Sequence, residues 1–353
     1  MTAVRCVATV VAGLLALAVL AAPAAADYEV EIRKYVLGDV TLPDRSPFGR
    51  LPVRLQGAIA APATGGPHPV VVVVHGRHVT GCPMTDHESE GWPCPGEEQR
   101  NDLGLRHVLR ALAQRGMVAI SPDVNGAYTE GWGEPDDTRR WPRIVNRTLE
   151  ALAADVREGG TRFRMELRGR ARLSRVGLLG HSQSGFNAAR LASRRAREDD
   201  PDRIARGRGP ISSLFLLAPV PGARLPDVPT AVVVGTCDLD TGLAGRRYLG
   251  AARRRVRRHP LFEITLGAAN HTFYNRTLAR RGQDDAAGAR GPCRKARRLR
   301  ARAQQRWLDH AAADFFAVTL RHARRPGWLG KAGPTPRRMY GEAVRLRRLA
   351  PRR

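Results

Sequence analysis

The sequence predicts an α/β protein with a mostly parallel central sheet and helices on both faces. Several short runs of valine, isoleucine and leucine are continuous rather than alternating, which is typical of strands buried on both faces of a sheet. Segments with apolar residues at helical spacing separate these runs, and that alternation favours parallel strands joined by helices. The predicted inner strands are residues 70–74, 117–121, 176–179, 211–219, 230–235 and 261–266.

Shorter patterns predict the remaining elements in order. Residues 28–37 and 51–60 alternate apolar and polar side chains, which indicates two half-exposed strands, the second antiparallel. Helices are predicted from apolar residues within 105–112, 145–156, 188–192 and 308–315, and an arginine-rich helix is predicted over 246–258. Residues 81–99 form an irregular loop long enough to be functional or stapled. After residue 325 the chain is basic and punctuated by glycine and proline, so residues 326–353 are expected to be a C-terminal tail in which no element is determined.

Residues 1–26 have the pattern of a secretory signal peptide. Arg5 precedes a long apolar run, and small residues with an A-x-A signature close it before Asp27. A membrane anchor is the alternative, but the run lies at the very N-terminus and ends in small residues. Cys6 lies too far from the cleavage site to carry a lipid, so we expect a secreted protein without a stable membrane anchor. The mature chain is long enough for one α/β domain over residues 27–325.

Four cysteines remain in the mature chain, which suggests two disulfides in an exported protein. Three connectivities exist, and the simplest pairs Cys82 with Cys94 and Cys237 with Cys293. A zinc site is less favoured because the pairs lack C-x-x-C spacing.

The formal net charge is +26, yet nearly all basic residues are arginines in an alanine-rich background. They are spread along several helices and the tail without a recognisable binding motif, so no nucleic-acid partner is expected. Electrostatic adhesion to anionic surfaces is the partner that the charge permits.

The stretch 176–185 has the order of a strand, a sharp turn carrying a serine, and a helix. That arrangement is needed to expose a nucleophilic serine, here Ser182, and small neighbours are needed around the strained turn. The N-terminus of the helix favours the negative charge that develops during acyl transfer. Ser182 is therefore the candidate nucleophile.

With these motifs the sequence resembles the α/β-hydrolase superfamily, and within it secreted bacterial hydrolases of the dienelactone-hydrolase, chlorophyllase and polyester-hydrolase type. The resemblance covers roughly residues 53–320. It departs from the usual Gly-x-Ser-x-Gly elbow, because Ser184 stands at the last position and Gly185 follows it. The motifs that carry the resemblance are His75-Gly76-Arg77-His78, residues 121–126, residues 180–185, Gly235-Thr236-Cys237-Asp238 and Asn270-His271.

In this fold the chain order is serine, acid, histidine, with each partner following a strand. Asp238 follows the next-to-last buried strand, and Asp240 is a rival two residues later; Asp238 is favoured because it lies nearer the strand end. His271 follows the last buried strand and is the candidate base. His181, inside the elbow, is expected to be structural.

Two N–H groups are expected to bind the oxyanion, one from Gln183 and one from Arg77 after the valine strand. No cofactor is implied. A metal site at the histidines of residues 75–87 is disfavoured because no helical H-E-x-x-H spacing exists.

These residues predict a serine hydrolase acting on small-molecule or polymeric carboxylic esters. An amidase or peptidase would share the machinery, and a degenerate hydrolase fold that only binds a wall or polymer is the alternative from another class. Trp132 and Phe273 are weak candidates for substrate contacts, as are Trp92 and Tyr128, since each could equally cover the sheet edge.

Overall fold

Ten strands form one mixed sheet in the computed structural model, which describes residues 27–43, 50–81, 94, 96–128, 137–330 and 335–351. The strand order is β1-β2-β4-β3-β5-β6-β7-β8-β10-β9, and the strands from β3 to β8 are parallel to one another. The outer pairs β1·β2, β2·β4, β8·β10 and β9·β10 are antiparallel. The strands are Val30–Pro43 (β1), Arg50–Pro62 (β2), His68–Val74 (β3), Val118–Pro122 (β4), Ala171–His181 (β5), Ile211–Leu217 (β6), Thr230–Gly235 (β7), Leu261–Leu266 (β8), Arg338–Met339 (β9) and Glu342–Leu349 (β10).

Helices cover both faces of the sheet, and the valine strand shows how the sequence divides its side chains between them. In β3, Val70, Val72 and Val74 pack with helices α2 and α3, whereas Val71 and Val73 pack with α1 and α6. All five valines are fully buried, which explains why the run is continuous rather than alternating. The helices are Arg106–Gln114 (α1), Asp137–Glu158 (α2), Gln183–Arg195 (α3), Arg247–Arg253 (α4), Arg276–Arg280 (α5) and Ala301–Arg321 (α6).

The path of the chain reverses its direction across the sheet between β3 and β5. From β3 the chain moves to β4 on one side, and then crosses back to β5 on the other side. The helices that follow β3 and β5 therefore lie on opposite faces. Such a switch point leaves a crevice at the carboxyl ends of the two strands, which is where open α/β sheets bind ligands.

The C-terminal segment adds strands that the sequence pattern did not determine. β10 pairs antiparallel with β8 over Val344–Leu349, and β9 pairs with the start of β10. Two strands, β9 and β10, therefore follow residues 261–266 in the chain. The arginines of β10 are interspersed with Val344, Leu346 and Leu349. β9 pairs only with Glu342 and Ala343, so the outer side of residues 344–349 has no strand partner in the described chain and tolerates that charge. Within the described ranges, no helix has the combination of length and apolar character required to cross a membrane.

Candidate active site

Ser182 lies in the turn between β5 and α3, at the switch point of the sheet. Its backbone has φ 56° and ψ −127°, a conformation that a non-glycine residue adopts only when its surroundings impose it. Those surroundings are hydrogen bonds: the Ser182 N–H donates to Leu217 O at 2.9 Å, and the Ser182 carbonyl accepts from Gly185 and Val220 at 2.8 and 3.2 Å. The strained turn is thus held by the helix after it and by β6 beside it.

Two glycines permit the close packing of this turn. A methyl group added at Gly180 would lie 2.3 Å from the Ser184 carbonyl oxygen, inside contact distance. One added at Gly76, after β3, would lie 2.6 Å from Ser182 Cβ and 2.9 Å from His78 Nε2. The loop after β3 therefore lies directly against the serine.

Ser184, the residue that departs from the usual elbow pattern, joins three parts of the chain. Its buried hydroxyl accepts a hydrogen bond from Trp141 Nε1 at 2.7 Å and donates to the carbonyl of His75. The Tyr128 hydroxyl lies 2.7 Å away. If Tyr128 donates to Ser184, the Ser184 hydroxyl uses its one donor and both of its acceptor sites. The serine thus ties the elbow to α2 and to the end of β3.

Asp238 and His271 form a buried hydrogen-bonded pair at the ends of β7 and β8. His271 Nδ1 lies 2.9 Å from Asp238 Oδ2, and both side chains are inaccessible to solvent. The other oxygen of Asp238 accepts from the backbone N–H groups of residues 240, 241 and 242 at 2.8–3.1 Å. A carboxylate with these donors stays ionised and fixes the orientation of the imidazole.

Asp240, the rival for the acid, lies on the other side of the same imidazole. Its Oδ2 is 3.3 Å from His271 Nε2, and its side chain is one-third exposed. Within the part of the chain that the structure describes, His271 Nε2 has no hydrogen-bond partner, Ser182 included. The two aspartates therefore have different positions: Asp238 is hydrogen-bonded to Nδ1, and Asp240 lies beside Nε2.

The charges around His271 make it the basic member of the site. Burial alone would lower the pKa of His271, but the hydrogen bond and charge of Asp238, then the charges of Asp240 and Asp285, raise it above its ordinary value. Burial would raise the pKa of Asp238, yet the hydrogen bond and charge of His271 and the backbone donors of the loop hold it below its usual range. Each member of the pair therefore stabilises the charged form of the other.

Two more histidines pack against His271. The His181 ring lies against it at a tilt of 32°, with centroids 4.6 Å apart, and the His78 ring centroid lies 6.1 Å away. His78 Nε2 and His181 Nδ1 are within hydrogen-bond distance at 3.2 Å. Burial, followed by the charges of neighbouring histidines, lowers the pKa of both well below the ordinary value. His181 and His78 thus surround the candidate base with neutral rings.

Asp285 connects the loops of the acid and the base, and no sequence motif marks it. Its Oδ1 accepts from the backbone N–H groups of His271 and Thr272 at 3.0 and 3.1 Å. Its Oδ2 accepts from the N–H of Leu239 at 2.9 Å, next to Asp238. One carboxylate therefore fixes both loops relative to each other.

The predicted disulfide between Cys237 and Cys293 is confirmed, with the two Cα atoms 5.3 Å apart. It is adjacent to Asp238 and encloses the histidine loop as well. Cys94 is disulfide-bonded, while Cys82 lies outside the described residues.

Of the two residues predicted to bind the oxyanion, Gln183 follows Ser182 directly, and Arg77 follows Gly76, which packs against Ser182. Gln183 is the first residue of α3, where backbone N–H groups have no partner within the helix. Arg77 follows Gly76 in the loop that contacts the serine. The His75 side chain holds that loop: its Nε2 accepts from the Val124 N–H at 3.0 Å, so its Nδ1 carries the proton and donates to Gly76 O at 2.8 Å. Their role in binding an oxyanion stays a prediction.

The aromatic candidates for substrate contact divide into three cases. Tyr128 is buried with its hydroxyl on Ser184, so it supports the elbow. Phe273 is half-buried in the short 3-10 turn after His271. Trp92 and Trp132 lie outside the described residues.

No protein-family model matches the chain, and a comparison with curated proteins finds no match. Among the described residues, no group of three histidine, cysteine, aspartate or glutamate side chains has the arrangement of a metal site. The fold and the side chains at the switch point therefore carry the functional interpretation.

Proposed function

We propose that the protein is a secreted serine hydrolase of the α/β-hydrolase superfamily that cleaves carboxylic esters. The observation that carries the proposal is the strained Ser182 turn at the switch point, beside a buried His271 that is hydrogen-bonded to Asp238. Strain of this kind costs about 1–3 kcal/mol and persists where the surroundings impose it, often at active sites. The disulfide and the predicted signal peptide support secretion.

In the proposed reaction, Ser182 Oγ attacks the acyl carbon and His271 Nε2 accepts its proton. The alcohol leaves after His271 returns that proton, and water then hydrolyses the acyl-enzyme by the same steps. Asp238 fixes the imidazole with Nδ1 protonated, so the Nε2 lone pair is available. Attack requires Ser182 Oγ and His271 Nε2 to approach within about 2.6–3.2 Å, a contact that often forms only with substrate bound. The N–H groups of Gln183 and Arg77 would bind the oxyanion.

One observation favours the alternative of a degenerate, non-catalytic scaffold. His271 Nε2 faces Asp240 at 3.3 Å, where the proposed reaction needs the serine hydroxyl. An amidase or peptidase would use the same residues, and the leaving group decides between it and an esterase.

Labelling of the oxidised mature protein with a fluorophosphonate, followed by peptide mapping, tests the proposal. We expect modification at Ser182 and turnover of p-nitrophenyl esters, both lost in Ser182→Ala. Ser193→Ala, a change on the same helix away from the turn, is the matched control and should retain both. Unlabelled Ser182 in folded wild-type protein would refute catalysis and favour the scaffold. An amide substrate tested alongside the ester series separates an esterase from an amidase or peptidase.

A further inference from the structure

A cavity of about 840 Å³ opens on the α1 and α6 side of the sheet, near β1. Its volume falls within the range of ligand sites, about 300–1,000 Å³. A second cavity of about 560 Å³ continues it, because the two share the side chains of Arg276, Arg280 and Arg306. We call the joined cavities the arginine groove, after six exposed residues that line the larger one: Arg106, Arg110, Arg276, Arg280, Arg281 and Arg306.

These arginines come from three helices and are not neutralised by acidic partners. In the described part of the chain, no carboxylate oxygen lies within 4.0 Å of any of the six guanidinium groups. Arginines on the other face of the sheet are mixed. Some have carboxylate partners at 2.5–3.2 Å (Arg147, Arg157, Arg206 and Arg208), whereas Arg190, Arg194, Arg197 and Arg224 form no ion pair in the described chain and line a cavity of about 220 Å³. The groove differs from that cavity in its larger volume and in its six unpaired arginines.

Basic residues outnumber acidic ones among the described residues that line the larger cavity, nine Lys or Arg against four Asp or Glu. Asp309 lies against His107, and Asp27 lies 3.8 Å from Arg115. Burial, then the charge of a neighbouring carboxylate, raises the pKa of Glu98 to about 8, which reduces its negative charge at neutral pH. Glu97 is the remaining acid among the described lining residues. The groove therefore carries a strong positive potential.

The shape and composition of the groove define the ligand. Guanidinium groups match phosphate oxygens with paired hydrogen bonds, and two adjoining cavities that share three arginines suit a chain of phosphates rather than a single ion. Single-stranded nucleic acids add stacking of bases on aromatic rings, but no Phe, Tyr or Trp occurs among the described residues that line either cavity. We propose that the arginine groove binds a linear phosphate-bearing polymer that lacks bases.

Binding of long-chain inorganic polyphosphate to the mature protein tests this proposal. The variant Arg276→Ala, Arg280→Ala, Arg306→Ala should bind at least about tenfold more weakly at physiological salt, and the slope of log K against log salt should fall by about 2. The matched control removes three exposed arginines at the end of α4 (Arg253, Arg254 and Arg255), which form no ion pair in the described chain. It should bind within about twofold of wild type.

Three outcomes would overturn the proposal. Equal weakening in both variants would show attraction to net charge alone. Orthophosphate that competes at equal phosphate concentration would show a small-anion site. Single-stranded DNA that binds more tightly than polyphosphate of equal charge would show recognition of bases.

Chemical modification of wild-type protein gives a measurement that does not depend on how the variants fold. Phenylglyoxal should modify the groove arginines more slowly when polyphosphate is bound, while Arg253–Arg255 keep their rate; equal protection everywhere would contradict a groove. Ser182→Ala should bind like wild type, so failure of the hydrolase proposal and failure of this one are distinguishable.

Discussion

Removal of the Ser184 hydroxyl should destabilise the protein strongly, although the position is usually a glycine in this motif. The change Ser184→Ala leaves the buried Trp141 N–H and the His75 carbonyl without the partner they have in the structure. A buried polar group without a partner costs about 1–3 kcal/mol, so two of them give a loss of about 2–6 kcal/mol. Ser184→Gly should lose that amount plus about 0.5–1 kcal/mol from the flexibility of glycine within a helix.

Urea unfolding of the oxidised mature protein, followed by circular dichroism, measures the effect. Ser193→Ala is the control on the same helix, because its hydroxyl has a single partner, the carbonyl of Arg224 at 2.5 Å. It should lose about 1 kcal/mol. A double-mutant cycle of Ser184→Ala with Trp141→Phe should give a coupling above about 0.5 kcal/mol. A Ser184→Gly protein as stable as wild type would refute the reasoning.

Three further predictions concern the acid, the base and their loops. The pKa of His271 is raised and its neutral form is the base, so kcat/KM should fall on acidification with a midpoint above the ordinary 6.5. Asp240→Asn should move that midpoint to lower pH, because the charge of Asp240 contributes to the raised pKa. A variant with the pH profile of wild type would exclude a role for Asp240. Asp285→Ala should reduce kcat/KM by about tenfold to a hundredfold, because the loops of the acid and the base lose the carboxylate that holds them together. Steady-state kinetics should show that the pH midpoint of the remaining activity stays above the ordinary 6.5. A variant with the kinetics of wild type would contradict the positioning role. Replacing Cys237 and Cys293 with serine should lower the free energy of unfolding by about 4 kcal/mol, the chain-entropy value for a loop with a sequence separation of 56; a urea midpoint equal to that of the oxidised wild type would refute it.

The sequence predicted the parallel strands and the candidate site residues that directly follow strand ends. The valine runs identified the parallel strands because burial on both faces leaves a continuous apolar signature. Chain order and strand ends identified Asp238 and His271, which the structure joins by a hydrogen bond. Their catalytic role stays a prediction.

Other parts depend on contacts that no local pattern records. Asp285 lies 14 residues from His271 and 46 from Leu239, in a loop without periodicity. Trp141 lies 43 residues before Ser184, so the reason for the serine appears only in three dimensions. β10 is rich in arginine, so its sequence resembled a solvated tail. It can carry that charge because residues 344–349 pair with β8 on one side and β9 covers only residues 342 and 343 on the other.

The Cys237–Cys293 bond makes residues 237–293 a covalent ring that contains both the acid and the base. Val256, 74% exposed and flanked by arginines, lies on this ring between Asp238 and His271. A trypsin-like cut beside it would divide the chain into two fragments, one with the acid and one with the base, that sulfur still joins. Such a nicked protein would migrate as one band until it is reduced, and reduction would release the base with its fragment. In such a nicked protein the Cys237–Cys293 bond would be the covalent link between the fragment with the acid and the fragment with the base.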